Sequence, residues 1–441
     1  MARLTAWRVL RSGSQTPMRT VSLAAKRAGL DDRDRSLARQ IVGTEVRRRG
    51  TLRALVAAFS KGKPNPELAA HLRIGLAQLF FMENIPDHAA LSETVHATTD
   101  TLGLSKGRYV NAVLRQALRS RRSGPSGDPR CDLIGSDWHF DKPVFRDPGE
   151  HPLLWAEDAL SIPAALMKRW TKNYGEEAAR AIGRIALEEP DLSVRVVSGE
   201  REELISELQG QDLSPAPGQH ASILLLPRRE AKALLATEAF ASGRITIQGE
   251  TALRAAELMP VEAEYVLDMC AAPGGKAAVL AGRGQRVVAS DLSAMRLTPL
   301  MEGMRRLNCA QNVRTVVSDG GASFGQKAQF DGVLVDAPCS NTGVLARRPG
   351  ARWRYGPKAQ ASLVELQTRL VTQAAELVRP GGHLVYSTCS LEREENQQRV
   401  ASLCRENSAF ELRDEHIWTP QTMDAGGPID GGYAALLHKR A

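Results

Sequence analysis

The sequence predicts a multidomain chain: an all-α N-terminal domain, a small α+β domain, and a doubly wound, Rossmann-like α/β domain at the C-terminal side. Three observations carry this. Apolar residues recur at three- and four-residue spacing through the first segment, without strand-like alternation. A stretch of Gly, Pro and Ser at 123–129 interrupts that pattern. From about residue 250, short apolar runs alternate with helical stretches, as a parallel sheet with crossover helices requires. A chain of 441 residues is also too long for one ordinary core, so several domains are expected.

The elements follow in order. Leu68, Leu72, Leu76, Leu79 and Phe80 line one helical face, and Pro86 ends the run. Further helices are predicted over 34–59, 89–102 and 107–119, with Arg47, Arg48 and Arg49 together in one turn. Residues 1–128 form the first domain, and 129–160, rich in Asp, Pro and Trp, read as a linker with no assignable element. Residues 161–249 read as the small α+β domain, with strands at 192–197, 223–226 and 244–248 and helices at 202–208 and 231–237. A ferredoxin-like arrangement would suit them. Within 250–441, strands are predicted at 265–269, 286–290, 313–317, 331–335 and 383–387. A helix fills most of 362–378 before Pro380-Gly381-Gly382 stops it.

Charge is unevenly spread. The net charge is +8, yet residues 1–130 hold 23 Lys/Arg against 10 Asp/Glu, while the remainder holds 35 against 40. A basic first segment on an otherwise slightly acidic body points to a polyanionic partner, nucleic acid above all; the simpler reading is a soluble helical surface. The six cysteines form no CxxC pair and have no histidine at finger spacing, so neither a zinc site nor a disulfide framework is expected. No apolar run is long enough to span a bilayer, and arginines interrupt residues 1–20. A cytoplasmic monomer without metal or membrane attachment is the expectation.

In doubly wound sheets ligands bind beyond the carboxyl ends of the strands. Those ends carry Cys270, Ala271, Ala272, Pro273, Gly274, Gly275 and Lys276, then Asp291, Asp319, Asp336 and Cys389. The Pro-Gly-Gly turn lets backbone approach a ligand closely. Asp291 stands 16 residues beyond Gly275, where an acid can accept both hydroxyls of a ribose; its simpler role would be a helix cap. Asp319 could receive an adenine amino group, or merely open the turn at Gly320-Gly321. Neither a GxGxxG fingerprint nor a phosphate loop is present. Both absences count against NAD and ATP and favour a cofactor without phosphates, such as S-adenosylmethionine.

Two thiols stand at predicted strand ends, Cys339 in Asp336-Ala337-Pro338-Cys339-Ser340 and Cys389 in Ser387-Thr388-Cys389-Ser390. Methylation of a pyrimidine at carbon 5 uses a thiolate, which adds to carbon 6 and makes carbon 5 nucleophilic. Ser390-Leu391-Glu392 reads as a helix start, whose dipole would help Cys389 ionise. Asp336 would meet the base near N3 if protonated, or its exocyclic amine as carboxylate. Most cysteines are small buried hydrophobes, and Cys131, Cys309 and Cys404 are read that way.

These motifs resemble those of the Sun-family RNA cytosine-5 methyltransferases, of the bacterial RsmB type. The resemblance rests on Asp268-Met269-Cys270-Ala271-Ala272-Pro273-Gly274-Gly275-Lys276, on Asp336-Ala337-Pro338-Cys339-Ser340 with Gly343, and on Ser387-Thr388-Cys389-Ser390 with Glu394-Glu395-Asn396. Residues 85–95 and 110–115 similarly resemble the NusB-like RNA-binding domain of that type. The resemblance implies methylation of small-subunit ribosomal RNA, with Cys389 as nucleophile and Cys339 assisting product release. It implies that Cys270–Lys276, Asp291, Asp319 and Asp336 line the cofactor site. Gly249, Gly350-Ala351 and Gly432-Tyr433 depart from the family pattern. Rival readings are a tRNA methyltransferase of the same chemistry and a non-catalytic RNA-binding assembly factor, though a pure binder has no need for both thiols.

Overall fold

Local capping sets the helices of the N-terminal region in the computed structural model, which describes residues 1–320, 327–423 and 426–441. Asp31 accepts the backbone N–H of Asp34 at 2.7 Å and opens the helix Asp32–Phe59. Asn65 accepts that of Leu68 at 2.9 Å, with Pro66 at the first helical position, and opens Pro66–Phe81. With Ala2–Arg11, Pro17–Arg27, Asp87–Leu102 and Leu104–Ser120 they complete six helices before a two-stranded ribbon, Arg121–Ser123 with Trp138–Phe140. Trp7, Ile41, Val42, Val46, Ile74 and Met82 are buried together among them.

The chain divides into two compact units. The first comprises Met1–Glu188 together with Pro349–Arg354, and the second Glu189–Arg348 together with Tyr355–Ala441. Residues 129–160, read from sequence as linker, contain the ribbon strand Trp138–Phe140 and the helix Pro152–Ala159. The helices Ala164–Tyr174 and Glu176–Ile185 fall in the first unit, not with the small α+β domain.

Within the first unit, Arg352 is fully buried. Its guanidinium donates to the carbonyls of Pro349 at 3.1 Å, Ser161 at 3.3 Å and Ala186 at 2.7 Å. Arg47 and Arg48 also point inward, onto the carbonyls of Glu188 and Ile134, each at 2.6 Å. Burial, and then the neighbouring Arg47, pull the Arg48 pKa down to about 9. Two of the three arginines that stood out in the sequence therefore serve the interior. Exposed cations elsewhere in the unit, including Arg108, Arg115 and Arg119 on one face of Leu104–Ser120, remain open to solvent.

The second unit begins with a four-stranded antiparallel sheet. Its strands Leu192–Val196, Ala216–Pro217, Ile223–Leu226 and Ile245–Ile247 lie in the spatial order second, third, first, fourth. With the helix Arg201–Gln209 and the short helices Ala231–Leu235 and Glu238–Ala241, this is the βαββαβ ferredoxin-like arrangement.

The larger sheet has seven strands: β1 (Tyr265–Asp268), β2 (Arg286–Asp291), β3 (Val313–Val317), β4 (Phe330–Asp336), β5 (Val378–Thr388), β6 (Phe410–Trp418) and β7 (Gly432–Lys439). Their order is β6-β7-β5-β4-β1-β2-β3. The five predicted strands are mutually parallel, whereas β7 runs antiparallel to both β5 and β6. The reversal of chain order between β1 and β4 is the switch point at which such sheets bind ligands. Asp336 pairs in register with Ser387, which sets the turns after β4 and β5 side by side.

Candidate active site

The turn after β1 is shaped by glycine. Gly274 has φ +107°, and a Cβ there would lie 2.7 Å from Leu300 Cγ, so a side chain would displace the helix Ala294–Arg306. The helix Gly275–Gly282 starts immediately after it. A cavity of about 300 Å³ opens beside this turn. Cys270, Ala271, Ala272, Pro273, Gly275, Lys276, Asp336 and Cys389 all stand on its wall.

Lys276 and Asp336 form an ion pair at 2.7 Å. Burial works against the Lys276 charge, but Asp336 and Asp268 outweigh it and raise the ammonium pKa. Ser387 Oγ donates to the second Asp336 oxygen at 3.0 Å. Behind them, burial and then the Asp336 charge push the Asp268 carboxyl up to about 7. Burial, with the charges of Asp268, Asp336 and Asp291, pushes the Cys270 thiol up to about 12, which removes it as a nucleophile.

The two thiols come together. Cys339 Sγ lies 3.2 Å from Cys389 Sγ. The hydrogen bond to Cys389, and then burial, push the Cys339 thiol well above its usual range, so Cys339 keeps its proton. Cys389 Sγ also stands 3.3 Å from Asn341 Oδ1. The helix expected directly after Cys389 is absent: the next helix is Gln397–Glu406, and 393–396 form a turn. Side chains of that segment are spent otherwise. Thr388 Oγ1 donates to Asn396 Oδ1 at 2.6 Å, and Asn396 Nδ2 donates to the Ser390 carbonyl at 2.8 Å. No helix dipole acts on the Cys389 sulfur from this side.

Besides Gly274, three predicted residues sit off the cavity wall. Asp291 is buried at the tip of β2, where it accepts from Ala272 N at 3.2 Å and from Arg296 at 2.7 Å. Asp319 lies exposed beyond β3. Cys339 stands behind Cys389. The wall also includes residues that sequence reasoning left out: Gln248, Arg347, Arg348 and Asp430. Arg347 Nε donates to Asp430 at 2.6 Å, a pairing across 83 residues that no local pattern could reveal. Among the described residues, no His/Cys/Asp/Glu group could hold a metal ion, and no helix is long and apolar enough to cross a membrane.

The chain is similar to known proteins. Residues 255–429 match the family model described as 16S rRNA methyltransferase RsmB/F, and residues 2–119 match the NusB family. Ribosomal RNA small subunit methyltransferase B of Xylella fastidiosa (strain 9a5c) is 32% identical over 397 residues, covering 86% of this chain and 84% of that protein. The chain belongs to the RsmB/F family. The protein of the same name from Vibrio cholerae is 29% identical over 95% of this chain and 93% of its own length. Among solved structures, that of PH0851 aligns over 99% of this chain and 98% of its own with a TM-score of 0.72; at 22% identity this speaks for the fold. A methyltransferase homolog from Pyrococcus horikoshii has 26% identity and a TM-score of 0.54 over 65% of this chain and 99% of its own.

This family member is an RNA cytosine-5 methyltransferase that uses S-adenosylmethionine. Its residues fit that cofactor. The turn offers close backbone rather than a phosphate loop, and the buried Gln248 on the wall presents a carboxamide with no hydrogen-bond partner among the described residues.

Proposed function

We propose that the enzyme methylates carbon 5 of a cytosine in small-subunit ribosomal RNA, with Cys389 as nucleophile and Cys339 assisting release. The pair of sulfurs 3.2 Å apart at the tips of adjacent parallel strands carries this reading. The names of the relatives and the NusB match support the choice of ribosomal RNA. S-adenosylmethionine, when bound, supplies an electrophilic methyl group on sulfonium.

The remaining chemistry falls to side chains. Cys389, as thiolate, adds to carbon 6; the carbon 5–carbon 6 double bond opens, and its electron pair makes carbon 5 nucleophilic. Carbon 5 would then take the methyl group from S-adenosylmethionine held by the Cys270–Lys276 turn, with the neutral thioether as leaving group. The proton on carbon 5 must then leave and the carbon 6–sulfur bond must break. The carbon 5–hydrogen bonding pair re-forms the carbon 5–carbon 6 double bond as the Cys389 sulfur leaves with its own pair; Cys339, holding its proton beside Cys389, can pass that proton to the departing sulfur while its own sulfur takes the carbon 5 proton, so that one proton moves in balance. Asp336, ion-paired with Lys276, accepts from the exocyclic amine of the base.

For the cofactor, the Cys270–Lys276 turn and Asp336 line the site, Asp291 takes the ribose hydroxyls, and Asp319 receives the adenine amino group. Asp291 is already tied to the turn through Ala272 N. The basic residues of 1–128 hold the RNA. Bisulfite sequencing of total RNA with and without the gene tests the target. A 5-methylcytosine that disappears from small-subunit ribosomal RNA is the expected result; a loss confined to tRNA overturns the choice of RNA.

A further inference from the structure

Gln248 is 5% exposed, and neither its Nε2 nor its Oε1 has a hydrogen-bond partner among the described residues. An unpaired buried carboxamide costs folding free energy, so such a group is normally answered by a ligand or ordered water. It stands on the cavity wall, just beyond the strand Ile245–Ile247 of the small sheet. It also lies against the cofactor turn: a Cβ built on Gly275 would be 3.4 Å from Gln248 Nε2. Gly275 opens the helix Gly275–Gly282, whose free N–H groups and dipole favour a carboxylate.

We infer that Gln248 binds the methionine end of S-adenosylmethionine, with its carboxamide hydrogen-bonding the α-amino-acid zwitterion. The chemistry matches on both sides. The side chain offers a donor at Nε2 and an acceptor at Oε1. The zwitterion offers an acceptor carboxylate and a donor ammonium. The nucleoside end is already provided for on the other side of β1, where Asp291 ends β2. The cavity beside Gln248 reaches instead toward Cys389 and Asp336, where the methyl group has to arrive. The other molecule that a carboxamide could read here is the cytosine edge. The place of Gln248 beside Gly275, the first residue of the helix after the turn, favours the cofactor.

The inference rests on the S-adenosylmethionine reading, and the test separates the two. Calorimetric titration of the full-length protein, without RNA, compares S-adenosylhomocysteine with 5′-methylthioadenosine, which lacks the amino-acid end. Binding of S-adenosylhomocysteine by the unaltered protein checks the cofactor reading alone. Gln248→Ala and Gln248→Leu, the second of which keeps most of the buried volume, are then expected to weaken S-adenosylhomocysteine at least tenfold and 5′-methylthioadenosine less than twofold. Equal losses for both ligands mean that Gln248 acts through the nucleoside site or the fold, and overturn the inference. Unchanged S-adenosylhomocysteine affinity overturns it too, and weaker binding of a cytosine-containing oligonucleotide in that case assigns Gln248 to the base.

Discussion

Glu395 Oε2 accepts the backbone N–H of Ser340 at 2.8 Å, joining residues 55 apart in sequence. The same oxygen accepts from Gln367 Nε2 at 3.0 Å, and Glu395 Oε1 accepts from Ser390 Oγ at 3.0 Å. One fully buried carboxylate thus fastens the residue after Cys339 to the residue after Cys389. This shared anchor helps hold the turns that carry the two sulfurs side by side.

Glu395→Ala should therefore do more than lower activity. Hydrogen bonds to a charged group are worth about 1.5–3 kcal/mol each, and their buried donors would be left unpaired. A loss of about 3 kcal/mol in urea unfolding is expected, with slower formation of the covalent RNA adduct. A variant that keeps both the unfolding midpoint and the adduct rate would show that the two turns are fixed by other contacts.

The thiols have separable phenotypes. Cys389→Ala should abolish methylation and give no covalent RNA adduct. Cys339→Ala should still transfer methyl but stall before release, leaving protein attached to RNA on a denaturing gel. An adduct in the Cys389 variant instead would reverse the two roles.

Asp268 makes stability depend on pH. Its carboxyl ionises near 3.8 ordinarily and near 7 here, so the folded chain holds the extra proton between those values. The stabilisation is complete below about pH 4 and is lost as pH rises toward about 7. Asp268→Asn removes that dependence. The variant should gain stability relative to the unaltered protein between pH 4 and pH 7, by an amount on the order of a few kcal/mol. Urea titrations at pH 4.5 and 7.5 giving the same difference would count against a proton held at Asp268.

The exposed cations of Leu104–Ser120 are expected to supply the salt-sensitive part of RNA binding. Replacing Arg108, Arg115 and Arg119 together by Gln should reduce the slope of log affinity against log salt by about 2, at roughly 0.7 for each phosphate no longer neutralised. Folding should be untouched, because Arg108, Arg115 and Arg119 are exposed. An unchanged slope would move the RNA-binding surface to another face. Arg47 and Arg48 are unsuitable for such a test because they bond to interior carbonyls.

The sequence by itself determined what local chemistry can encode. The five parallel strands were legible as apolar runs, the tight turn after β1 as Pro273-Gly274-Gly275, and the thiols by their place after two of those runs. Strands β6 and β7 were not. Residues 433–437 of β7 are Tyr, Ala, Ala, Leu and Leu, apolar without alternation because β7 is flanked by β5 and β6 and largely buried, so no period-two signal survives. Ser390-Leu391-Glu392 reads as a helix start because Ser caps and Glu suits a first turn, whereas both side chains bond to distant partners, Ser340 and Tyr355. The inward direction of Arg47 and Arg48, the Arg347–Asp430 pair and the unanswered carboxamide of Gln248 depend on which backbone atoms surround them. Burial and long-range hydrogen bonding decide such roles, and both exist only once the chain has folded.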